Sequence, residues 1–426
     1  MKTVILAGGE GSRVRPLSVG KSKVMVKVVG RPLIEHVVRN VASAGMRDII
    51  VVVGMGGEDV KAHLGDGKMF GTHIEYAMQE RPLGTANALQ AVENMVGEKF
   101  LVVNGDDIFE AGLLNSMVKE AESSRADIVL SCKPVKETWK FGILVKDQSC
   151  KVSRIVEKPR KGEEPSNLAV VGIYLFSKKI FSQIRKLPVS DHQLEGAIQE
   201  TIESGGVVRT VSYGGFFGPF KYPWDLFSIN RYLMDRFLKA SIISKSAAIA
   251  STAIIDGNVF IGDGAKIMEG AVVKGPCYIG KGTIVGTNAV VREYSSVGEN
   301  CIIGFSTEVV RSVIGDGCWF HNSYVGDSII MDGCKFGAGS VTANFRFDEK
   351  SVKVNVKGQV IDSGAKKLGL IAGMNCRMGV NSSTMPGLKI GPNSTVGSGV
   401  TLQEDLEQGK TVFVDRKSYV IKENKI

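Results

Sequence analysis

Residues 249–304 read IASTAIIDGNVFIGDGAKIMEGAVVKGPCYIGKGTIVGTNAVVREYSSVGENCIIG, and an aliphatic side chain returns at every sixth place. The rungs are Ile249, Ile255, Ile261, Ile267, Val273, Ile279, Val285, Val291, Val297 and Ile303. Four places after each rung stands a small or modest residue: Ala253, Val259, Ala265, Ala271, Cys277, Thr283, Ala289, Ser295, Cys301 and Thr307. Glycine often follows a rung directly, as at Gly262, Gly280, Gly286, Gly298 and Gly304. A period of six suits short strands joined by tight turns, stacked so that each rung buries against the next. One such unit has no core of its own, so the array predicts a single solenoid rather than a string of domains.

Outward from the ladder, a chain of 426 residues has room for a second domain. Hydrophobic residues make up 43%, enough for two cores, yet no apolar run reaches the roughly 20 residues of a membrane span. The amino end, MKTVILAGGEG, reads as a strand entering a glycine loop rather than as a secretion signal. Seven cysteines (132, 150, 277, 301, 318, 334, 376) show no C-x-x-C pair or metal spacing, which predicts reduced, structural thiols in a cytoplasmic protein. The net charge of +9 is spread along the chain without a basic block. That argues against a nucleic-acid partner and suits anionic small molecules.

The first half alternates β-branched runs (2–7, 48–53, 99–103) with amphipathic stretches (33–44, 84–96). Such alternation predicts an α/β domain with a mostly parallel sheet, whose ligands gather at the carboxyl ends of the strands. At that edge stand Leu6-Ala7-Gly8-Gly9-Glu10-Gly11-Ser12-Arg13 and, after a later strand, Asn104-Gly105-Asp106-Asp107. Closely spaced glycines let backbone N–H groups converge on phosphate oxygens, and an arginine adds a forked charged contact.

The stretch Leu6–Pro32 resembles the signature of the sugar-1-phosphate nucleotidylyltransferases, with Gly8, Gly9, Gly11, Ser12, Arg13, Lys23, Arg31 and Pro32 in the matching places. The resemblance covers about residues 1–240 and implies a Rossmann-like nucleotidyltransferase domain. It implies that Leu6, Ala7, Gly8, Gly9, Gly11 and Ser12 bind the nucleotide, while Gln79, Gly84 and Thr85 read its base. Arg13 and Lys23 would hold the triphosphate, Asp106 would bind Mg²⁺, and Gly142, Glu157 and Lys158 would contact the sugar phosphate. The implied reaction is attack of a sugar-1-phosphate on the α-phosphorus of a nucleoside triphosphate, UTP or dTTP, with release of pyrophosphate. Two positions depart from the family pattern. Pro219 stands where relatives carry a second metal-binding aspartate, and Val170-Val171 replaces an asparagine before Gly172-Ile173-Tyr174. Asp225, nearby, is expected to cap the following helix.

Beyond the ladder the hexads slip at residue 309, resume at Ile314-Gly315, break over 344–370 and return at Met378, Thr384, Ile390, Val396 and Leu402. His321, the last of five histidines, lies in Trp319-Phe320-His321-Asn322-Ser323-Tyr324-Val325-Gly326-Asp327. Solenoids expel insertions onto one face, often the binding face. Here the insertion carries Lys350, Lys353, Lys357, Lys366 and Lys367. His321, Tyr324, Asn344, Lys350 and Lys353 resemble, in order and spacing, the left-handed β-helix acetyltransferase domain of bifunctional GlmU-type enzymes, especially archaeal ones. This resemblance implies His321 as general base toward the amine of glucosamine-1-phosphate, and Tyr324, Lys350 and Lys353 as holders of its phosphate. Asn344 would orient the amine or help polarise the acetyl-CoA thioester. Ala338, Gly379 and Ser398 would line the coenzyme A groove. The upstream basic pair of bacterial relatives reads Val310-Arg311 here, so half of that phosphate contact is missing.

The expectation is therefore a nucleotidyltransferase domain over 1–240, with a linker helix near 223–243, then a left-handed hexapeptide β-helix over 246–410 and a tail over 411–426 packing back on the solenoid. The resemblance further implies a homotrimer. Two alternatives remain open: a glucose-1-phosphate thymidylyltransferase with a structural β-helix, and a regulatory subunit with a degenerate first domain.

Overall fold

The computed structural model describes residues 1–148, 151–190 and 192–415. They form two compact units. The first holds Met1–Gly11, Lys21–Val26 and Pro32–Pro219; the second holds Ser12–Gly20, Lys27–Arg31 and the chain from Phe220 onward.

A nine-stranded sheet organises the first unit. Lys2–Ala7 lies between Asp48–Val53 and Lys99–Asn104, all parallel, with Ile5 opposite Val51 on one side and Val103 on the other. Both faces are covered, so these strands are apolar throughout: Ile49 to Val53 and Phe100 to Val103 are all buried. The sheet is more mixed than expected, because Leu168–Ser177 runs antiparallel to Lys99–Asn104 and to Ile128–Pro134. The helix expected over 33–44 spans Leu33–Ser43. That expected over 84–96 is regular only through Thr85–Gln90 and continues as tight turns, with Val92 and Val96 still buried. The apolar period persisted past the helix because the turns present the same face to the sheet.

The second unit contains the helix Asp225–Phe237, shorter than the expected linker, and the solenoid, whose first strand is Ile242–Ile243. Three parallel sheets of eight, nine and eight short strands form its faces. This is the arrangement of a left-handed hexapeptide β-helix. Each rung lies in register on the next coil, as Ile261 on Ile279, Ile267 on Val285 and Val273 on Val291. Strands of two or three residues would not persist alone; here the hydrogen bonds of each are completed by the coil beside it. From Ile261 onward the rungs are buried, whereas Ile249 keeps 37% of its surface because the first coil is covered on one side only.

The small places point inward too: Cys277, Cys301, Cys318, Cys334 and Cys376 are buried free thiols, as is Cys132 in the first unit. Their Sγ atoms donate to carbonyls of neighbouring coils, as Cys334 to Gly373 O at 3.2 Å. Burial pushes the Cys277 thiol up to about 12. Cys150 lies outside the described residues.

The slip at 309 does not interrupt the ladder. Val309, Ile314, Phe320, Val325, Ile330 and Phe336 are all buried rungs, but three of the steps between them take five residues instead of six. The shortened corners are closed by Arg311, Asn322 and Asp327, each with positive φ (45°, 42° and 44°). The one large break lies between Thr342 and Ile371, where the chain leaves as an antiparallel hairpin, Lys353–Val356 with Gln359–Asp362. At the far end Thr411–Val412 adds to the ladder beside Thr395–Val396. The rest of the tail, from residue 416, lies outside the described residues. Among the described residues no helix is long and apolar enough to cross a membrane.

Candidate active sites

In the first unit the glycine loop leaves the carboxyl end of the central strand. A Cβ on Gly8 would stand 2.6 Å from Gln79 Oε1 and 3.2 Å from Gly54 N, so any larger residue here would have to displace the Gln79 amide. Gln79 is buried, and its Nε2 donates to Gly84 O (3.1 Å) and to Asn87 Oδ1 (3.0 Å). Gly84 turns with φ +98° into the helix that begins at Thr85. Gly8, Gln79, Gly84 and Thr85 are thus brought together as expected. Asn87 is a further contributor that no sequence signal marked. Ser12 and Arg13, the first residues of the segment that belongs to the second unit, form a short 3-10 turn directly after Gly11, with Arg13 exposed.

Lys23 Nζ forms an ion pair with Asp106 Oδ2, both side chains largely buried (17% and 13% exposed). The turn carrying Lys23 is held by Asp59. Its carboxylate accepts from the Ser22 N–H (2.8 Å) and the Ser22 hydroxyl (2.7 Å), while also accepting from Val60 N at the start of its own helix. A lysine–carboxylate pair far apart in sequence is invisible to spacing, and so is its Asp59 support.

Pro219 lies opposite Asp107 in a two-residue antiparallel pairing. Asp107 is buried and accepts from Asn104 Nδ2 at 2.8 Å. The bulge after Val170 brings Gly172 against this pair, where a Cβ would meet Asp107 Oδ2 at 2.9 Å. Asp225, the first residue of its helix, does not cap it as expected: its Oδ2 accepts from the N–H groups of Lys221 and Tyr222, both at 2.7 Å, and so holds the turn before the helix.

At the other end of the sheet Glu157 pairs in register with Gly142, and a Cβ there would stand 2.7 Å from Glu157 Oε2. Lys158 Nζ lies 3.6 Å and His192 Nδ1 4.0 Å from Glu157 Oε1. Glu195 was not foreseen here. Burial, opposed by its own backbone N–H and reinforced by the Glu157 charge, raises its carboxyl above the usual range.

In the second unit Tyr324, Asn344 and Asp327 meet at one corner of the solenoid. Asn344 Nδ2 donates to Asp327 Oδ2 (2.6 Å) and to the Tyr324 hydroxyl (3.2 Å). Arg311 grips the same carboxylate through Nε (2.6 Å) and Nη2 (2.7 Å). The Nε and Nη2 fork of Arg311 is thus committed to Asp327. Lys350 and Lys353 line an open pocket of ≈ 610 Å³ with Arg346 and Lys366, among the acids Asp348, Glu349 and Asp362. His321 is exposed in its shortened corner, its N–H bonded to Phe336 O (3.1 Å), and its ring makes no hydrogen bond or ion pair to described residues. Ala338, Gly379 and Ser398 fall on one corner of successive coils. A Cβ on Gly379 would collide with Ser398 N at 2.4 Å, so coil stacking alone already requires this glycine.

Among the described residues no cluster of three or more His, Cys, Asp or Glu side chains could enclose a metal. Mg²⁺ needs none, since it is often held by one or two carboxylates plus substrate phosphates. Asp106, a carboxylate already balancing a cation, fits that role.

An α/β sheet with a phosphate loop, followed by a hexapeptide β-helix with its own polar corner, defines a two-module transferase. A nucleotidyl transferase family model matches residues 2–213, and a model of the bacterial transferase hexapeptide (six repeats) matches residues 258–293. The bifunctional protein GlmU of Methanococcus maripaludis (strain C7) is 40% identical over 97% of both chains. That of Methanocaldococcus jannaschii is 36% identical over 97% of both. A bifunctional sugar-1-phosphate nucleotidylyltransferase/acetyltransferase of Sulfurisphaera tokodaii is 33% identical, over 96% of this chain and 99% of its own. The chain belongs to the bifunctional GlmU family.

Proposed function

We propose that this protein makes UDP-N-acetylglucosamine in two steps, acetylating glucosamine-1-phosphate and then joining N-acetylglucosamine-1-phosphate to UTP. The observation that carries the acetyl step is the Tyr324–Asn344–Asp327 corner together with the lysine pocket of the inserted segment. For the nucleotidyl step it is the Lys23–Asp106 pair beside the strand that bears the glycine loop.

The amine of glucosamine-1-phosphate is protonated at neutral pH. His321 accepts its proton, the neutral nitrogen attacks the thioester carbon, and coenzyme A leaves as the thiol. Tyr324, Lys350 and Lys353 bind the sugar phosphate, while Ala338, Gly379 and Ser398 leave the backbone open to coenzyme A.

In the nucleotidyl step the sugar phosphate is already anionic, so positioning and charge neutralisation govern the rate. Leu6 to Ser12 wrap the phosphates, Arg13 and Lys23 offset charge on the leaving pyrophosphate, and Gln79, Gly84 and Thr85 hold the base. Gly142, Glu157 and Lys158 hold the sugar. Asp106 would hold Mg²⁺, which would supply further neutralisation of the phosphate oxygens. With Pro219 in place of an aspartate, Asp106 is the carboxylate proposed for this task.

We further propose a cytoplasmic homotrimer, since hexapeptide β-helices associate through their faces and the thiols fit a reducing compartment. Two assays on the purified protein test the reading. Glucosamine-1-phosphate with acetyl-CoA is expected to release free thiol, and UTP with N-acetylglucosamine-1-phosphate to release pyrophosphate. Turnover of dTTP with glucose-1-phosphate and no thiol release would favour the thymidylyltransferase instead. Silence in both nucleotide assays would favour the degenerate first domain.

A further inference from the structure

An asparagine amide can donate through nitrogen or accept through oxygen, and the two tasks proposed for Asn344 need opposite ends. Orienting an amine requires an acceptor, whereas polarising a thioester carbonyl requires a donor. The Asn344 partners settle which end is spent. Nδ2 faces the Asp327 carboxylate, which is an acceptor only, so nitrogen and oxygen cannot be exchanged there. Its second hydrogen goes to the Tyr324 hydroxyl. Both donors are used. Oδ1 takes no hydrogen bond from the described residues and is not sealed from solvent.

Asp327 is itself over-determined. The Arg311 fork balances its charge, its N–H donates to Val310 O (2.8 Å), and its carbonyl accepts from Gly369 N (2.8 Å). Leu368 N donates to Asn344 O (2.9 Å), so the end of the inserted segment is tied to the same corner. A Cβ on Gly326 would stand 2.6 Å from both Asn344 Nδ2 and the Tyr324 hydroxyl, which closes the remaining space.

We infer that Asp327, held by Arg311, is a positioning residue that fixes Asn344 with its amide oxygen as the acceptor for the amine of the amino sugar. The inference rests on the acetyltransferase reading above. Asn344 then acts on the nucleophile, aligning an N–H so that its lone pair meets the thioester. The oxyanion must find its donors elsewhere.

The test varies glucosamine-1-phosphate and acetyl-CoA independently in a thiol-release assay on the full chain. Asp327→Asn and Asn344→Ala are expected to raise KM for the amino sugar on the order of tenfold, leaving KM for acetyl-CoA within about twofold. The double variant Asp327→Asn with Asn344→Asp restores a donor–acceptor pair and is expected to recover much of the amino-sugar KM, whereas Asn344→Asp alone places two carboxylates together and is not. Pyrophosphate release by the same preparations monitors the first unit, and thermal melting the second. If Asp327→Asn fails to fold, Arg311→Lys, which keeps the charge and loses the fork, and Asn344→Ala carry the same test. A fall in kcat at unchanged amino-sugar KM would assign Asn344 to the carbonyl and overturn the inference, as would an Asp327→Asn enzyme that behaves like the wild type. Absence of thiol from the wild type would instead sink the acetyltransferase reading itself.

Discussion

Lys23 and Asp106 are ion-paired in the first unit, joining a turn near the amino end to the carboxyl end of a strand some eighty residues later. Neither side chain is held by its own spacing. Each charge offsets the desolvation of the other, and either one left alone would be costly. Removing one partner is therefore expected to damage the nucleotidyl step and leave the solenoid alone. Lys23→Ala and Asp106→Asn should lower pyrophosphate release by about 100-fold or more, in the range of lost charge-stabilising groups. Thiol release by the same proteins should stay near wild type; a parallel loss would mean general misfolding.

Asp59 gives Lys23 its platform through Ser22. Asp59→Ala removes two hydrogen bonds to that turn and should cost about 1–2 kcal/mol of stability. It should also lower kcat for nucleotidyl transfer. Ser22→Ala, which keeps the backbone bond, should show a smaller fraction of both effects, measured by melting and by pyrophosphate release.

At Gly8 the smallest enlargement is expected to act on the nucleotide. Gly8→Ala drives a methyl against Gln79, whose amide cannot retreat because Nε2 is bonded twice. KM for the nucleoside triphosphate should rise at least about tenfold, and the overpacking should cost about 1–3 kcal/mol of stability, read as a lowered melting temperature. An unchanged KM would show that the loop and Gln79 do not share the nucleotide.

His321→Ala should lower thiol release by roughly 100- to 10,000-fold, the span usual for losing a general base. Its pyrophosphate release should be unaltered. The ring bears no structural hydrogen bond in the described residues, so loss of melting temperature would contradict this account.

Glu35 makes the first unit sensitive to acid. Burial alone would raise its carboxyl, but hydrogen bonds from His63 (2.9 Å) and Arg39 (2.8 Å) outweigh that and hold it down at about 2. The folded value lies below the unfolded one of 4.5, so this contribution is present above pH 4.5 and is lost as pH falls toward 2. It amounts to roughly 2–3 kcal/mol. Glu35→Gln should flatten the stability profile over that window in urea unfolding monitored at several pH values.

Much of the architecture could be read from the chain. The hexads reported the solenoid faithfully because every rung repeats the same local task, and the central strands reported a covered sheet by being apolar throughout. Reading failed where local pattern and packing separate. The helix at 84–96 ended early because turns could present the same apolar face, and the slip at 309 turned out to be a shorter corner rather than a gap. For the sites, Gly8, Gln79 and Gly84 were legible as parts of motifs. Asp59, Asn87 and Glu195 were not, and Asp327 was legible as part of its motif while its hold on Arg311 and Asn344 was not, since these partners are ones that no spacing rule connects.

The six-residue period determined by itself that the second half would stack, because a unit of that length buries its rungs only against copies of itself. What chemistry the stack carries was decided in three dimensions. Arg311, Asp327 and Asn344 come from different coils, and the parallel register of those coils stacks their corners together. Hydrogen-bond direction at Asn344 depends on which donor meets which acceptor across those coils, and only the folded chain sets that.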